Sequence, residues 1–203
     1  MPTSPRGLLS QVGLPVTGSV EWGTSPPTDN AGVYVISLHA DPDGAVGLAE
    51  APIEEATVAA WIQRVPSLML DGARPQPAVL AQRLASYWLP DEAIVYVGKS
   101  TSLRQRLRQY YSTPLGDRRP HAGGHWIKTL ENLRSLTVHY AETGAGTDPE
   151  DVERRMLTTF AREVSAPTRS AHPQPDLAIP FANLEIKGVG RRNHGIQNAV
   201  LRD

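Results

Sequence analysis

Residues 94–110 show the clearest succession of apolar and polar segments in the chain. An apolar, β-branched run from Ile94 ends at Gly98, and a hydroxyl-rich stretch leads directly into a basic, amphipathic segment. Hydroxyl side chains at this position can accept hydrogen bonds from the free N–H groups of a helix N terminus. In that helix, Arg106 and Tyr110 lie four residues apart and therefore share a face. The pattern predicts a strand, a tight turn and a helix in succession.

The same rules predict strands and helices on both sides of this stretch. Strands are expected over residues 31–38 and 136–140, and helices over 53–64, 77–87, 125–130 and from 149 onward. The last helix has a strong start because Asp148 can cap it and Pro149 suits its first position. Residues 1–30 contain five prolines among glycine, serine and threonine, and are expected to form an N-terminal arm.

The composition limits both the chemistry and the location. The chain has 203 residues, enough for one domain with a real core, and it has no cysteine. Disulfides and thiolate metal sites are therefore excluded, so a metal ion would need oxygen or imidazole ligands. The N terminus lacks a charged segment followed by a long apolar one, and no apolar run approaches the length of a membrane span. We expect a soluble, cytoplasmic protein that does not associate with membranes.

The formal charge of −1 hides a strong separation of charge along the chain. Residues 1–98 carry 4 basic and 10 acidic side chains, whereas residues 99–134 carry 8 basic and 2 acidic ones. Such a basic segment indicates either a polyanion-binding surface or an ordinary solvated helix face. Two phenols, a lysine and a guanidinium converge at its start. That group suits a phosphodiester, because arginine binds phosphate oxygens in a forked geometry and a phenol can exchange a proton with water.

Two tripeptides and a set of single residues stand in a fixed order and spacing along the chain. The tripeptides are Gly32-Val33-Tyr34 and Tyr96-Val97-Gly98, and a lysine, an arginine and a tyrosine follow Tyr96 by three, ten and fourteen positions. This combination resembles the GIY-YIG nuclease superfamily. Glu153 opens a Glu-x-x-Met-Leu pattern that is similar to the family's metal-binding helix. Asn183 ends a Pro-x-x-Asn pattern like that of the family, and residues 183–195 resemble the tail of its restriction endonucleases.

The resemblance implies an α+β fold, in which a small three-stranded antiparallel or mixed sheet is flanked by helices. Residues 31–203 would form this domain, with a helical insertion at about 50–88 between the first two strands. That insertion is a departure from the family, in which a short hairpin usually joins the two tyrosine motifs. A second long segment precedes Asn183, so either Asn183 or Asn193 could be the active-site asparagine.

The resemblance also implies hydrolysis of phosphodiester bonds with one divalent metal ion, Mg²⁺ or Mn²⁺. The site would consist of Tyr34, Tyr96, Lys99, Arg106, Glu153, Tyr110 and Asn183. Glu153 would bind the metal, since Mg²⁺ takes oxygen ligands and keeps several waters. Tyr96 would be the general base, with Lys99 and Arg106 lowering its pKa, and Arg106 would also stabilise charge on the phosphorus. The last two residues of the set would orient water and substrate.

The expected partner is double-stranded DNA, bound by the basic segment and by the C-terminal residues. The candidate DNA contacts are Arg104, Arg108, Arg118, Arg119, His121, His125, Lys128, Arg191, Arg192, Asn193 and His194. A DNA endonuclease of the restriction type is the main hypothesis. Because one active site cuts one strand, a homodimer on DNA is expected, and a cognate methyltransferase would be encoded separately.

Other functions are compatible with the same residues. A structure-specific nuclease of repair or of a mobile element would use the same chemistry, and a non-catalytic nucleic-acid-binding module would retain only the fold. Each residue also has a structural interpretation: the strand tyrosines as cross-strand packing, the cations as solvated charges, and Glu153 as a helix N-terminal acid. Their joint spacing favours the nuclease.

Overall fold

The computed structural model describes residues 2–120 and 123–201, which form helices around one main β-sheet. Within these residues the α-helices are α1 (Pro5–Gln11), α2 (Glu55–Arg64), α3 (Pro77–Ala85), α4 (Leu103–Ser112), α5 (Pro149–Glu163) and α6 (Ala166–Ala171). The strands are β1 (Gly18–Glu21), β2 (Gly32–Ser37), β3 (Met69–Leu70), β4 (Ile94–Ser100), β5 (Thr137–Glu142), β6 (Glu185–Ile186), β7 (Gly190–Arg191) and β8 (Ile196–Gln197). Short 3₁₀ helices span His125–Thr129, Leu133–Ser135 and Pro175–Leu177. The expected α+β class is confirmed.

The main sheet has four strands in the order β1-β5-β2-β4, and every neighbouring pair is antiparallel. It has one strand more than the three that the motifs imply, because β1 pairs with the outer edge of β5. Both α1 and β1 lie within residues 1–30, the expected N-terminal arm. β1 has only four residues, and alternate ones are exposed. An edge strand this short has too few apolar positions to be predicted from its pattern.

β2 lies inside the sheet, and all of its residues are buried. Its alternate side chains enter two separate cores. Val33 and Val35 pack with α1 and α5, whereas Tyr34 and Ile36 pack with α2, α3 and α4. Helices therefore cover both faces of the sheet, which explains why β2 is a continuous apolar run although its neighbours are antiparallel.

The helical insertion forms α2 and α3, as predicted, joined through the short strand β3. Trp61, Leu80 and Leu84 of the two helices are buried in the same core as Tyr34. β3 pairs with β8 near the C terminus, and the Trp61 indole donates a 2.8 Å hydrogen bond to the carbonyl of Ala199. The insertion and the C-terminal segment thus pack together over one face of the sheet.

Residues 125–129, expected to begin an α-helix, form a 3₁₀ helix instead. Gly124 precedes it in a left-handed backbone conformation, with φ of 63°, and Leu130 follows in an extended one. Five residues between two such breaks allow only a short 3₁₀ segment. None of the helices that the structure describes is long and apolar enough to span a membrane.

Candidate active site

β2 and β4 bring the two tyrosine motifs together on adjacent antiparallel strands. Tyr34 lies opposite Gly98 and Ile36 lies opposite Tyr96, so both tyrosines point to the same face of the sheet. The centroids of the two phenol rings are 6.0 Å apart. A Cβ atom on Gly98 would overlap the Tyr34 ring and come within 2.8 Å of the Tyr96 ring. Glycine is therefore required at this position for the two rings to pack side by side.

Tyr110 extends this pair into a row of three tyrosines. Its ring centroid is 5.7 Å from that of Tyr96, and its hydroxyl donates a 2.6 Å hydrogen bond to the carbonyl of Gly124. Tyr34 and Tyr110 are fully buried, whereas Tyr96 is 8% exposed and lines a cleft. Tyr96 is the member of the row that a ligand can reach. The Tyr110 hydroxyl, which was expected to orient water or substrate, holds the loop at Gly124 in place.

Arg106 projects from α4 beside the tyrosine row. The helix begins where predicted, because the Ser102 side chain accepts a hydrogen bond from the backbone N–H of Gln105. Arg106 is half-buried, and its guanidinium has no ion pair or hydrogen bond within the described part of the chain. Its positive charge opposes the rise in pKa of Tyr96 and of Glu153. Arg106 is therefore close to both groups.

Glu153 lies on α5 beside the buried stripe of that helix. The Asp148 side chain caps α5 by accepting a 2.9 Å hydrogen bond from the backbone N–H of Glu150. Val152 and Met156 of the stripe are fully buried. Their burial fixes the orientation of α5 and therefore of the adjacent face that carries Glu153. Glu153 itself is half-buried at a cleft. Its carboxylate has no ion pair or hydrogen bond among the residues that the structure describes.

The carboxyl group of Glu153 holds its proton more tightly than an ordinary glutamate does. Burial is the main cause and raises the pKa of Glu153 to about 7, while the charges of Lys99 and Arg106 oppose this rise. The negative charge of Glu185 acts in the same direction as burial. An unpaired carboxyl with a raised pKa at a cleft is typical of functional sites, because a bound cation would stabilise its ionised form.

Two clefts, each of about 460 Å³, meet at Lys99 and Glu150. The first lies over the N terminus of α4 and is lined by the hydroxyl residues that precede the helix and by its polar face. The second is lined by Tyr96, Glu153 and the β6–β7 hairpin. At the boundary between the clefts, Lys99 and Lys187 each donate a hydrogen bond to the carboxylate of Glu150.

Burial keeps the phenols of the tyrosine row protonated. The pKa of all three is raised, and loss of solvation is the largest cause for each. The charge of Glu153 raises the pKa of Tyr96 further, while Arg106 and a hydrogen bond from Tyr34 oppose the rise. Lys99, expected to lower the pKa of Tyr96, forms its ion pair elsewhere. The direction is opposite to the one that a tyrosine general base requires.

Asn183 contacts the backbone of β4. Its Oδ1 accepts a hydrogen bond from the N–H of Val97 and its Nδ2 donates one to the carbonyl of Val97, both at 2.8 Å. The side chain that was expected to orient water or substrate therefore holds the strand next to Tyr96. Asn193 is exposed, and its backbone N–H donates to the side chain of Gln174. Of the two asparagines, Asn183 lines the cleft.

Comparison with known proteins gives no relative from which the role of this site could be inferred. No protein-family model matches the chain, and neither the curated proteins nor the solved structures contain a match. The interpretation of the site therefore depends on the geometry and on the motifs in the sequence.

Of the carboxylates that line the second cleft, Glu150 and Glu185 form ion pairs, and Glu153 has none among the described residues. Within residues 2–120 and 123–201, no cluster of three or more histidine, aspartate or glutamate side chains is arranged to hold a metal. Glu153 nevertheless fits a hard divalent cation, because Mg²⁺ commonly binds through one or two carboxylates and completes its shell with water and phosphate oxygens. The donor set does not fit a structural zinc site, which needs four protein ligands.

The candidate DNA contacts divide into exposed and buried groups. The exposed members are Arg104, Arg108, Arg118, Arg119, Arg191 and Asn193. Arg191 also lines the second cleft. Arg104 is already engaged, since it forms a 3.1 Å ion pair with Asp29 and donates to the carbonyl of Pro26. His121 lies outside the described residues.

Three further candidates are engaged within the protein: His125 is buried, and Lys128 and His194 are half-buried. His125 is only 7% exposed. The Lys128 ammonium donates to the carbonyls of Tyr110 and Thr113 at the C-terminal end of α4, and burial lowers its pKa to about 8. The His194 ring packs edge-on against Trp126 with the centroids 5.2 Å apart, and burial lowers its pKa to about 4. His194 is therefore neutral near pH 7.

Arg192, also a candidate DNA contact, is a buried anchor and only 3% exposed. Its guanidinium donates 2.6 Å hydrogen bonds to the carbonyls of Phe181 and Ile179. It also lies over two aromatic rings, 5.1 Å from the centroid of Tyr87 and 5.8 Å from that of Trp126. Burial lowers its pKa to about 9. Arg192 therefore ties the C-terminal segment to the core.

Several charged residues that line the clefts were not predicted as site residues, among them Glu150, Lys187 and Glu185. Glu150 precedes Glu153 by three residues and therefore shares its helix face, a signal that could have identified it. Lys187 and Glu185 belong to the short β6–β7 hairpin, and nothing in the local pattern indicates that this hairpin lies against α5.

Proposed function

We propose that this chain is a DNA endonuclease of the restriction type, which hydrolyses phosphodiester bonds with one divalent metal ion, Mg²⁺ or Mn²⁺. The observation that carries the proposal is the Glu153 carboxylate, which is half-buried, unpaired within the described residues, and lines the same cleft as Tyr96. Arg106, equally without a partner there, is close enough for its charge to act on both groups. The motifs that resemble the GIY-YIG superfamily supply the reaction class.

Glu153 would hold the cation. When bound, such an ion neutralises phosphate oxygens and stabilises the negative charge that develops on the leaving 3′ oxygen. The raised pKa of Glu153 supports this assignment, because a cation would favour the ionised form that burial disfavours. Binding of the metal should therefore release a proton below about pH 7.

Arg106 and Tyr96 would act on the phosphate and on the attacking water. The half-buried guanidinium of Arg106 can bind two phosphate oxygens, and being already positioned it can stabilise the extra charge of the pentacoordinate state. Tyr96, whose pKa is raised, would donate a hydrogen bond into the cleft. Tyr34 and Asn183 would hold Tyr96 in place through its hydroxyl and its strand.

The sheet can be matched to the family's fold by leaving out its edge strand. We propose that β2, β4 and β5 correspond to the three-stranded sheet of the GIY-YIG domain. β1 would then be an added edge strand, and α2 and α3 an insertion on the tyrosine face. The match is supported by the antiparallel pairing of the strands that carry the two motifs.

Double-stranded DNA is the proposed partner. Positive charge would come from Lys99 and Arg106 at the clefts. The exposed Arg108, near Arg106 in the sequence, and the exposed Arg191, on the wall of the second cleft, would add to it. Each site would cut one strand, so a double-strand break would need two protomers, as in the expected homodimer, or two visits by one. A separately encoded methyltransferase would protect the host.

Cleavage of plasmid DNA tests the proposal. We expect wild-type protein with Mg²⁺ to nick and linearise supercoiled plasmid, and expect chelation to abolish this. Glu153→Gln should lower the rate by at least about 1,000-fold, whereas the matched variant Asp151→Asn, which removes the same charge from an exposed residue of α5, should stay within about twofold. Mg²⁺ should also raise the Tm of wild-type protein at pH 8 and leave that of Glu153→Gln unchanged.

The cleavage products separate the alternatives. Discrete fragments from plasmid support the restriction type, and preferential cutting of branched DNA supports a repair or mobile-element nuclease. Binding without cutting of either substrate would overturn the enzymatic proposal in favour of a non-catalytic module. Wild-type rates for Glu153→Gln would overturn the role of the carboxylate.

A further inference from the structure

Glu150 lies where the two clefts meet, and lysines engage both of its carboxylate oxygens. Lys99, on β4, donates to Oε2, and Lys187, in the turn between β6 and β7, donates to Oε1. The three side chains therefore come from three separate elements. Lys99 and Glu150 line both clefts, so this ion pair forms the partition between them.

Breaking the contacts of Glu150 with the two lysines costs little free energy. The side chains of Glu150 and Lys99 are 28% and 30% exposed, and that of Lys187 is 73% exposed. Lysine–carboxylate pairs with this much solvent contribute little net free energy, because screening and lost side-chain entropy offset the Coulomb attraction. A ligand that brings its own acceptor oxygens to the lysines can replace the carboxylate.

A phosphodiester matches what Glu150 now provides. It carries one negative charge and two free oxygens, as a carboxylate does, and lysine ammonium groups bind phosphate well. With Glu150 displaced, the two clefts would form one groove from the residues that cap α4 to Arg191. A nucleic acid strand in that groove would bring a phosphate to the position between Lys99 and Lys187.

We propose that Lys99 and Lys187 form a phosphate-binding position that Glu150 occupies in the free protein, so that Glu150 competes with the nucleic acid substrate. The proposal depends on the function proposed above, and it adds Lys187 to the substrate-binding residues. Glu150 then lowers the affinity for any polyanion that cannot displace it from both lysines.

The two partners of the contact should respond in opposite directions. Glu150→Gln removes the competing charge and should tighten DNA binding, whereas Lys187→Gln removes a phosphate ligand and should weaken it. If Glu150 merely fastened the hairpin to α5, both substitutions would loosen the same structure and both would weaken binding. The sign of the Glu150→Gln effect therefore separates competition from a structural role.

The experiment measures the Kd of the full chain for a labelled DNA duplex by fluorescence anisotropy, with a chelator present so that nothing is cut. Glu150→Gln should bind about 5- to 10-fold more tightly than wild type, and its affinity should depend more steeply on salt, because two lysines become free to contact phosphate. Asp151→Asn is the matched control, since it removes the same charge from the same helical turn but releases Arg154 alone. It should tighten binding less than about twofold.

Several results would overturn the proposal. Equal effects of Glu150→Gln and Asp151→Asn on affinity would show that long-range charge alone is responsible. Weaker binding by Glu150→Gln would show that Glu150 has a structural role. A tightening that persists unchanged in the Glu150→Gln/Lys187→Gln double variant would exclude Lys187, and absence of DNA binding by every variant would exclude the site. Thermal melts confirm that each variant is folded. Loss of cleavage with the binding pattern intact would instead refute only the nuclease function.

Discussion

The protein contains two groups in which an arginine lies beside a tyrosine, and their surroundings differ. Arg192 is buried beside Tyr87, where it donates to two carbonyls and lies over two rings. Arg106 is half-buried near Tyr96, and its guanidinium has no hydrogen bond or ion pair within the described residues. The residue types are the same, but backbone carbonyls accept hydrogen bonds from two nitrogens of the Arg192 guanidinium, whereas the Arg106 guanidinium has no such acceptor among the described residues.

This difference separates a structural group from the proposed functional one. A buried guanidinium stabilises a fold only when its donors find acceptors, because an unmet buried charge is costly. Arg192 meets that condition at Nη1 and Nη2 with backbone oxygens, while its Nε has no partner among the described residues. Arg106 and Glu153 do not meet it with one another or with neighbours, and the raised pKa of Glu153 records the cost. The clefts therefore hold charge that bound phosphate and a cation could satisfy.

The largest expected effects come from changing the two arginines in the same way. Arg106→Met should lower the cleavage rate by about 100- to 1,000-fold, since it removes a positioned donor to the phosphate, and should change the free energy of unfolding by less than about 1 kcal/mol. Arg192→Met should lower the free energy of unfolding by about 2–4 kcal/mol, because two buried carbonyls lose their donor. Single-turnover cleavage and urea unfolding measure the two quantities.

The contrast between the two arginines is wrong if Arg106→Met does not mainly affect cleavage or if Arg192→Met does not mainly affect stability. A large loss of stability in Arg106→Met would mean that its guanidinium has structural partners. Normal stability with lost cleavage in Arg192→Met would mean that the buried arginine contributes directly to the chemistry.

The second prediction concerns the stability cost of Glu153. The pKa of Glu153 rises from 4.5 to about 7 on folding, so below about pH 4.5 the group is protonated in both states and costs nothing. As the pH rises to about 7 the unfolded chain releases the proton first, and stability is lost over this window. Glu153→Gln should therefore be more stable than wild type at pH 8 by about 1–3 kcal/mol, after allowance for solvent screening.

Urea unfolding of wild type and Glu153→Gln at pH 4.5 and pH 8 measures this difference, with Asp151→Asn as the control for a general change in charge. The advantage of Glu153→Gln should shrink at pH 8 when Mg²⁺ is added, because the cation stabilises the wild-type carboxylate. An advantage of equal size at both pH values would contradict the raised pKa.

Part of this site could be predicted from sequence because local geometry fixes it. Strand alternation places Tyr34 and Tyr96 on one face once β2 and β4 pair, and helical periodicity places Arg106 on the same face of α4 as Tyr110. The burial of Arg192 could not be predicted. It lies in a segment that has the composition of an exposed basic tail, and its partner Tyr87 is more than a hundred positions away.

The contact of Glu150 with Lys99 and Lys187 could not be predicted for the same reason, because it too joins residues that are distant in the sequence. Helix-dipole considerations explain an acid at the start of α5, but they do not indicate which lysines meet it. That depends on the path of the β6–β7 hairpin, which is a tertiary feature. β1 was not predicted for a related reason, since it becomes a strand only by pairing with β5.

The smallest effect distinguishes exposed from internal cations within the basic segment. Arg108 is exposed without a partner in the described structure, whereas Lys128 donates to two carbonyls at the end of α4. Arg108→Met should weaken DNA binding about threefold and lower the slope of log affinity against log salt by about 1, as expected for one lost phosphate contact. Lys128→Met should leave both the affinity and the slope unchanged in the fraction that is folded. Anisotropy titrations at several salt concentrations measure both, and a change of slope in Lys128→Met alone would mean that the ammonium leaves the helix end to meet DNA.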